Sequence, residues 1–341
     1  MKEQKITSIK EFYELNNNAI EKIRKKEYET ELIDEHESKP DIKVDINEIG
    51  ACSMSVWIRV KLEGHEVYKL NPTIKASVNL KNGIKGLHMS RHPEAIYRAI
   101  AESWCIDLED IHKLGDRIAC NLLESHEYST KSIVQLHMKL PYYKQTENNV
   151  WCESNHELFF LSEAQKSEVQ KSDKIKITTK SIKVSVDGVT VCPTGQSLVK
   201  DYYKEVANGC EQAAFGTHMQ RARGEVTIKI INRQGIRDDD IRNIFDIPKL
   251  IEVMESSMSS STFNLVKRLD EQALIVNALK KPRFIEDCIR HSAKNLVDKF
   301  SNIPDDAEIT IFFKSLESFH QYDLYARLSS SFLDLKKQLI K

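Results

Sequence analysis

The chain has 341 residues, long enough for two average domains. Lys and Arg total 50 against 51 for Asp and Glu, and the formal net charge of -1 excludes a generally basic nucleic-acid coat and a strongly acidic tail protein. Hydrophobic residues at 40% and charged residues at 30% supply a real core and exclude wholesale disorder, while only 11 Gly and 8 Pro exclude collagen-like and linker-rich chains.

Seven cysteines (Cys52, Cys105, Cys120, Cys152, Cys192, Cys210 and Cys288) are scattered, odd in number and without a CxxC pair. That spacing argues against a disulfide framework or a four-cysteine zinc module and for a reducing compartment. The polar start, MKEQKITSIKEFYELNNNAIEK, lacks the apolar core of a signal peptide, and no window approaches the roughly 18 apolar residues of a membrane helix. The expectation is a soluble cytoplasmic protein with neither nucleic acid nor membrane as partner.

In chain order, residues 1–39 are rich in Lys, Glu and Asn and read as a charged arm with one helix over 9–28. Alternating apolar residues predict strands over 55–62 (Val56, Ile58, Val60, Leu62) and 74–80 (Ile74, Ala76, Val78, Leu80). Pro93 suits a first helical turn, and helices are expected over 94–102 and 109–124, then a strand over 133–140. The polar stretch 162–172 separates a first unit, 40–165, from a second, 166–341. There a long alternating strand over 174–186 ends at Asp187-Gly188, a hairpin signal. A helix follows over 196–214, a strand over 225–231, helices over 238–256 and 281–300, and a strand over 308–313. Strand pairs followed by helix pairs, given twice, predict an α+β protein of two units with mostly antiparallel sheets.

There is no GxxxxGK[ST] loop, no GxGxxG after a strand and no GxSxG elbow, so the common nucleotide-binding and serine-hydrolase motifs are missing. Polar clusters in the second half remain: Cys192-Pro193 after the expected turn; His218 crowded by Gln220, Arg221 and Arg223; Lys267, Arg268, Asp270 and Glu271 in five residues; Glu286 and Asp287 opening a helix; and Glu317-x-x-His320. Each has an ordinary reading when taken singly, as a packed thiol, a structural histidine, a solvated helix end or a dipole partner. Together, a thiol, two histidines and several carboxylates can supply a borderline divalent metal, with Arg and Lys suited to a polyanion.

The segments GLHMSRHPE (86–94), TVCP (190–193), THMQR (217–221), ESSMSSST (255–262), KRLDE (267–271), PRFIEDCIR (282–290) and ESFHQYD (317–323) occur in that order. This series resembles the type IB GTP cyclohydrolases, most closely their archaeal-type, iron(II)-dependent branch, from about residue 40 to 326. The resemblance implies tandem tunnelling-fold units, antiparallel sheets each backed by two helices, in a homotetramer with active sites at subunit interfaces. It implies that a metal-bound water attacks C8 of the guanine of GTP or a related purine nucleotide. The ring then opens, formate leaves, and reclosure gives a dihydroneopterin triphosphate or cyclic phosphate for pterin or folate-type synthesis. Carried over by motif, Cys192, Glu271, Glu317 and His320 hold one divalent ion, Fe(II) or zinc with manganese as an alternative. His218 is a further ligand or the acid/base beside it. Glu286 pairs with the guanine N1-H and 2-amino edge, and Arg221, Arg223, Lys267 and Arg268 face the phosphates.

Two positions depart from the family pattern. Thr194 stands where a second cysteine is usual, and Tyr322 where a further histidine follows the last motif. The second departure leaves open an enzyme of a specialised pathway that stops at a ring-opened intermediate or takes an altered substrate. A non-catalytic guanine or pterin binder is a separate alternative, and Cys192, His218, Glu271, Glu286, Glu317 and His320 together argue against it.

Overall fold

The computed structural model describes residues 8–30, 33–62, 67–103, 105–166, 174–207, 216–231 and 238–339. By internal contacts the chain divides into two compact units, residues 1–138, 160–180 and 232–234, and residues 139–159, 181–231 and 235–341.

The first unit begins with α1 (Ile9–Glu29). Its N-cap Ser8 accepts the Glu11 amide at 3.0 Å, satisfying one of the otherwise orphaned donors of the first turn. Strands β1 (Ile46–Ser55), β2 (Ile58–Lys61), β3 (Val67–Leu70) and β4 (Thr73–Leu80) lead to α2 (Arg91–Glu102), the short β5 (Ile106–Asp107), α3 (Ile111–Ser125) and β6 (Lys131–Gln145). β1 lies antiparallel to β4, with Ile46 opposite Leu80 and Ser55 opposite Thr73. β3, β2 and β5 form a separate three-stranded sheet. The core follows from the two periodicities of the chain. Ile74, Ala76, Val78 and Leu80 are buried at every second position of β4; Ile111, Leu114, Ile118 and Leu122 are buried along one face of α3. Each such aliphatic side chain contributes on the order of 2 kcal/mol by leaving water. The arm is docked through α1: Phe12 meets Tyr97 of α2 edge-on at 5.1 Å, and Arg24 pairs with Glu94 at 2.8 Å.

Three long strands, β6, β7 (Trp151–Lys166) and β8 (Ile175–Val191), contribute residues to both units. The second unit adds α4 (Pro193–Ala207), β9 (Met219–Ile231), α5 (Asp238–Ile244), α6 (Ile247–Ser256), β10 (Ser260–Ser261), α7 (Arg268–Lys280), α8 (Ile285–Lys299), β11 (Glu308–Ser315), β12 (Leu324–Ser331) and α9 (Phe332–Leu339). β9 and β11 pair antiparallel from Lys229 opposite Glu308 to Ala222 opposite Ser315, and β11 pairs with β12. Val226, Ile228, Ile311 and Phe313 are buried on these strands, as are Leu250 and Met254 of α6 and Leu296 of α8.

Several expectations are corrected here. The strand order is β1-β4-β6-β7-β8-β9-β11-β12, with β10 on β8, in a nine-stranded sheet. The expected tandem tunnelling-fold class, with a separate antiparallel sheet for each unit, is therefore not what the chain builds. Because β6, β7 and β8 run to 15, 16 and 17 residues, their hydrogen-bonding edges are not divided between two sheets. The Asp187-Gly188 signal makes no hairpin, since β8 continues to Val191. Ser260 and Ser261 of β10 pair with Val189 and Gly188 there, and Arg223 grips the Asp187 carboxylate, so tertiary partners override local turn preference. The single helix expected over 238–256 is two. Asp246 caps α6 by accepting the Lys249 amide, and Pro248 sits in its first turn. The last third of the helix expected over 196–214 lies outside the described residues from 208 to 214.

Candidate functional site

The polar residues singled out by sequence lie in the second unit, and three of them, Cys192, His218 and Glu317, flank the ends of β8, β9 and β11. Cys192 follows the last residue of β8, and α4 starts immediately after it. Its carbonyl accepts the Gln196 amide at 3.2 Å, the first bond of the helix, while the Gly195 amide donates to its Sγ at 3.3 Å. The sulfur thus sits at a helix N-terminus, where the peptide dipoles favour negative charge. The Cys192 amide in turn donates to the His218 carbonyl at 3.3 Å, and Thr217 Oγ1 donates to the Cys192 carbonyl at 3.2 Å. These bonds tie the start of α4 to the residue that enters β9.

Gly195 makes this approach feasible. A Cβ there would lie 2.3 Å from Thr217 Oγ1, 3.4 Å from His218 Cδ2 and 3.6 Å from Cys192 Sγ. The absent side chain leaves a cradle bordered by a thiol and an imidazole.

His218 is oriented by a short polar chain. Its Nδ1 lies 3.1 Å from Gln220 Oε1 and 3.1 Å from Ser318 Oγ. The other end of the Gln220 amide, Nε2, donates toward Glu317 Oε1 at 3.5 Å, and Ser315 Oγ donates to the same carboxylate oxygen at 2.7 Å. With Nε2 of Gln220 turned to a carboxylate, its Oε1 faces the histidine as an acceptor. In the Nδ1-H tautomer this oxygen accepts from the ring, and Nε2 presents its lone pair. Phe319 stacks obliquely on the His218 ring at 4.3 Å.

The structure therefore brings Cys192, His218 and Glu317 to one end of the sheet, half-buried. It does not assemble all the expected ligands. His320 is exposed in the segment between β11 and β12 and stacks on Tyr322 at 5.2 Å. Glu271 is exposed on α7, whereas its neighbour Asp270 turns inward, accepting from Asn148 at 2.8 Å. A Thr146 side-chain bond, followed by that of Asn148, holds the Asp270 carboxyl below the usual range. Asp270 also lines a cavity of about 190 Å³ with Thr146, Phe263 and Asn277, apart from Cys192 and His218. Glu286 is exposed in the first turn of α8, and Lys267, Arg268 and Arg221 are exposed as well. Arg223 is engaged by Asp187, with Nε to Oδ1 at 2.9 Å, and by Glu157 at 3.4 Å; the Asp187 hydrogen bond raises its pKa further. The sequence pattern leaves Gly195 and Ser318 unmarked and gives Gln220 only as an amide crowding His218, not as a bridge to Glu317. The glycine two residues after a Cys-Pro pair was the available signal for the first, and Gln220 lay inside a motif already noted.

The family model described as Type I GTP cyclohydrolase folE2 matches residues 32–326. GTP cyclohydrolase MptA 1 of Methanocella arvoryzae is 30% identical over 326 residues, covering 91% of this chain and 97% of the relative. GTP cyclohydrolase MptA of Methanobrevibacter smithii is 30% identical over 318 residues, covering 90% and 98%. The chain therefore belongs to the type I GTP cyclohydrolase family, and it is an enzyme of that kind. Among solved structures, a uricase from Bacillus fastidious is similar with a TM-score of 0.52 at 9% identity, covering 88% of this chain and 97% of that one. At that identity the likeness concerns fold alone. It replaces the tandem tunnelling-fold expectation with the large antiparallel sheet shared with a uricase.

Proposed function

We propose that the chain hydrolyses the guanine imidazole ring of GTP at C8, releases formate and yields a dihydroneopterin phosphate, as the triphosphate or a cyclic phosphate, for pterin synthesis. The observation that carries the reading is the Cys192–His218 cradle at the start of α4, next to Glu317, within a chain of this family. A thiol, an imidazole and a carboxylate form a mixed S/N/O donor set that suits Fe(II) or zinc, with manganese as the alternative. Cys192 and His218 would hold the ion, completed from Glu317, His320 and Glu271. When bound, it supplies Lewis acidity for hydrolysis near neutral pH.

The remaining work falls to the protein's own groups. Gln220 fixes the His218 ring by accepting from Nδ1, leaving Nε2 to bind the ion or move a proton. The Glu286 carboxylate matches the paired N1-H and 2-amino donors of guanine in the manner of a bidentate pair. Arg221, Lys267 and Arg268 suit the phosphates, and Arg223 reaches them only by giving up Asp187. The exposure of Glu271, Glu286 and His320 supports a homo-oligomer, with a tetramer as the expected state, in which a second copy closes the site. So does β12, which ends the strand order with Leu324 and Tyr325 exposed.

The test is anaerobic incubation of the metal-loaded protein with GTP, followed by measurement of formate and, after oxidation, pterin fluorescence, with mass analysis of the product. Formate together with a pterin phosphate is expected. Formate without pterin places the stop at a ring-opened intermediate, as the Tyr322 position allows. Neither product from folded, loaded protein overturns the reading.

A further inference from the structure

Outside the second unit, the segment that follows α1 carries a cluster that the proposed chemistry does not use. Asp34 begins a single short helical turn, and its Oδ1 accepts the His36 amide at 2.9 Å and faces His36 Nδ1 at 3.1 Å. Two backbone bonds hold this segment to the loop that precedes α2: the Gly86 amide to the His36 carbonyl at 3.1 Å and the Lys85 amide to the Ser38 carbonyl at 3.0 Å. That loop presents His88, whose ring centroid lies 4.8 Å from that of His36. His88 Nε2 points at Asp34 Oδ2 from 3.5 Å, with Glu37 Oε1 at 4.0 Å. It is sealed from solvent, yet no hydrogen bond satisfies it. Burial, followed by the neighbouring Arg91, lowers the His88 pKa, against the opposing pull of Asp34.

Among the described residues, Asp34, His36 and His88 are the one group of three whose ligand atoms all lie within 4.8 Å of one another. Donors bonded to one tetrahedral zinc at about 2.0–2.2 Å are about 3.4 Å apart. His36 Nδ1 lies 3.1 Å from Asp34 Oδ1 and His88 Nε2 lies 3.5 Å from Asp34 Oδ2, so each imidazole is near that spacing from one oxygen of the shared carboxylate. We propose that Asp34, His36 and His88 form a second divalent-metal site, of zinc type, that pins the segment after α1 to the loop before α2. Two imidazoles and a carboxylate select zinc over calcium or magnesium, and Glu37 is placed to serve as a fourth ligand. The site carries no sulfur, which separates it chemically from the Cys192 donors.

The experiment uses the full chain, stripped of metal with a chelator and titrated with cobalt(II) and, separately, zinc. His36→Ala and Asp34→Asn, both at exposed positions, should each bind one equivalent per chain fewer than the unaltered protein. His88→Gln should do the same. Any sulfur-to-cobalt charge-transfer absorption from Cys192 should persist in all three and vanish in Cys192→Ser, which should keep the equivalent that His36→Ala loses. The readout is a difference between variants, so it stands whether or not the Cys192 donors bind metal and whether or not GTP is turned over. Unchanged stoichiometry in His36→Ala and Asp34→Asn, with native circular dichroism, overturns the proposal.

Discussion

Cys192 and His218 are separated by 26 positions in the sequence, and a single residue without a side chain lets them meet. A Cβ on Gly195 overlaps Thr217 Oγ1 and comes into contact with the His218 ring, so Thr217 must shift. The displaced hydroxyl is the one that donates to the Cys192 carbonyl, and Thr217 directly precedes His218. Gly195→Ala is expected to lower turnover and metal occupancy at least tenfold. The clash is local, and forcing an extra methyl into a packed site costs about 1–3 kcal/mol, which leaves the protein folded. Removing the opposing hydroxyl and methyl in Gly195→Ala/Thr217→Ala should restore a large part of the loss. The comparison is metal content and formate release for the two variants, with circular dichroism as the control for folding. Wild-type turnover in Gly195→Ala would mean that the cradle has no part in catalysis.

At the scale of elements, the sequence was informative wherever burial has a period. The alternation over 74–80 is β4, the helix-spaced residues over 94–102 and 109–124 are α2 and α3, and the strand over 308–313 is β11. It failed where tertiary partners set the structure. β7 runs into the start of the polar stretch 162–172, where Ser162, which is buried, donates its hydroxyl to Asp116 instead of to water, a pairing that local pattern cannot show. The hairpin expected at Asp187-Gly188 does not form for a related reason, since Asp187 serves Arg223. The motif residues of the site were legible as types, but Gln220's role as a bridge between Glu317 and His218 depends on β9 and β11 being neighbours. The same pair of strands carries a further prediction. Gly224 of β9 lies opposite Phe313 of β11, and a Cβ there would come within 2.5 Å of the Phe313 ring and 2.8 Å of the Met254 methyl. Phe313 is fully buried, so it cannot swing aside into solvent. Gly224→Ala should destabilise the protein by about 1–3 kcal/mol through overpacking, seen as a lower urea midpoint. An unchanged midpoint would show that the ring and the methionine relax freely.

At the scale of the whole molecule, the chain buries histidines as neutral groups, and this fixes how its stability depends on pH. His92, His112, His126 and His156 are each at most 3% exposed. Burial pushes their pKa values down to about 4 for His92, His112 and His156 and about 3 for His126, where neighbouring His92 adds to the effect. In the unfolded chain these rings titrate near the ordinary value of 6.5. Between pH 6.5 and about 4 the unfolded state therefore binds protons that the folded state refuses, so stability rises with pH across that window. The contribution is complete above 6.5 and is lost as the pH falls toward the folded values. Each ring costs about 1.4 kcal/mol per pH unit once below 6.5, and four acting together approach the 5–15 kcal/mol that holds an average domain folded. The urea midpoint should be flat from pH 8 to 7 and fall steeply between pH 6 and 5. His156 isolates one share of that slope. Its ring packs edge-on to Tyr142 at 5.2 Å and its Nε2 is buried without a hydrogen bond, so phenylalanine matches both its shape and its apolar surroundings. His156→Phe should make the fall between pH 6 and 5 shallower by about 1.4 kcal/mol while leaving stability at pH 8 equal or higher. An identical slope in the two proteins would show that His156 does not titrate on unfolding.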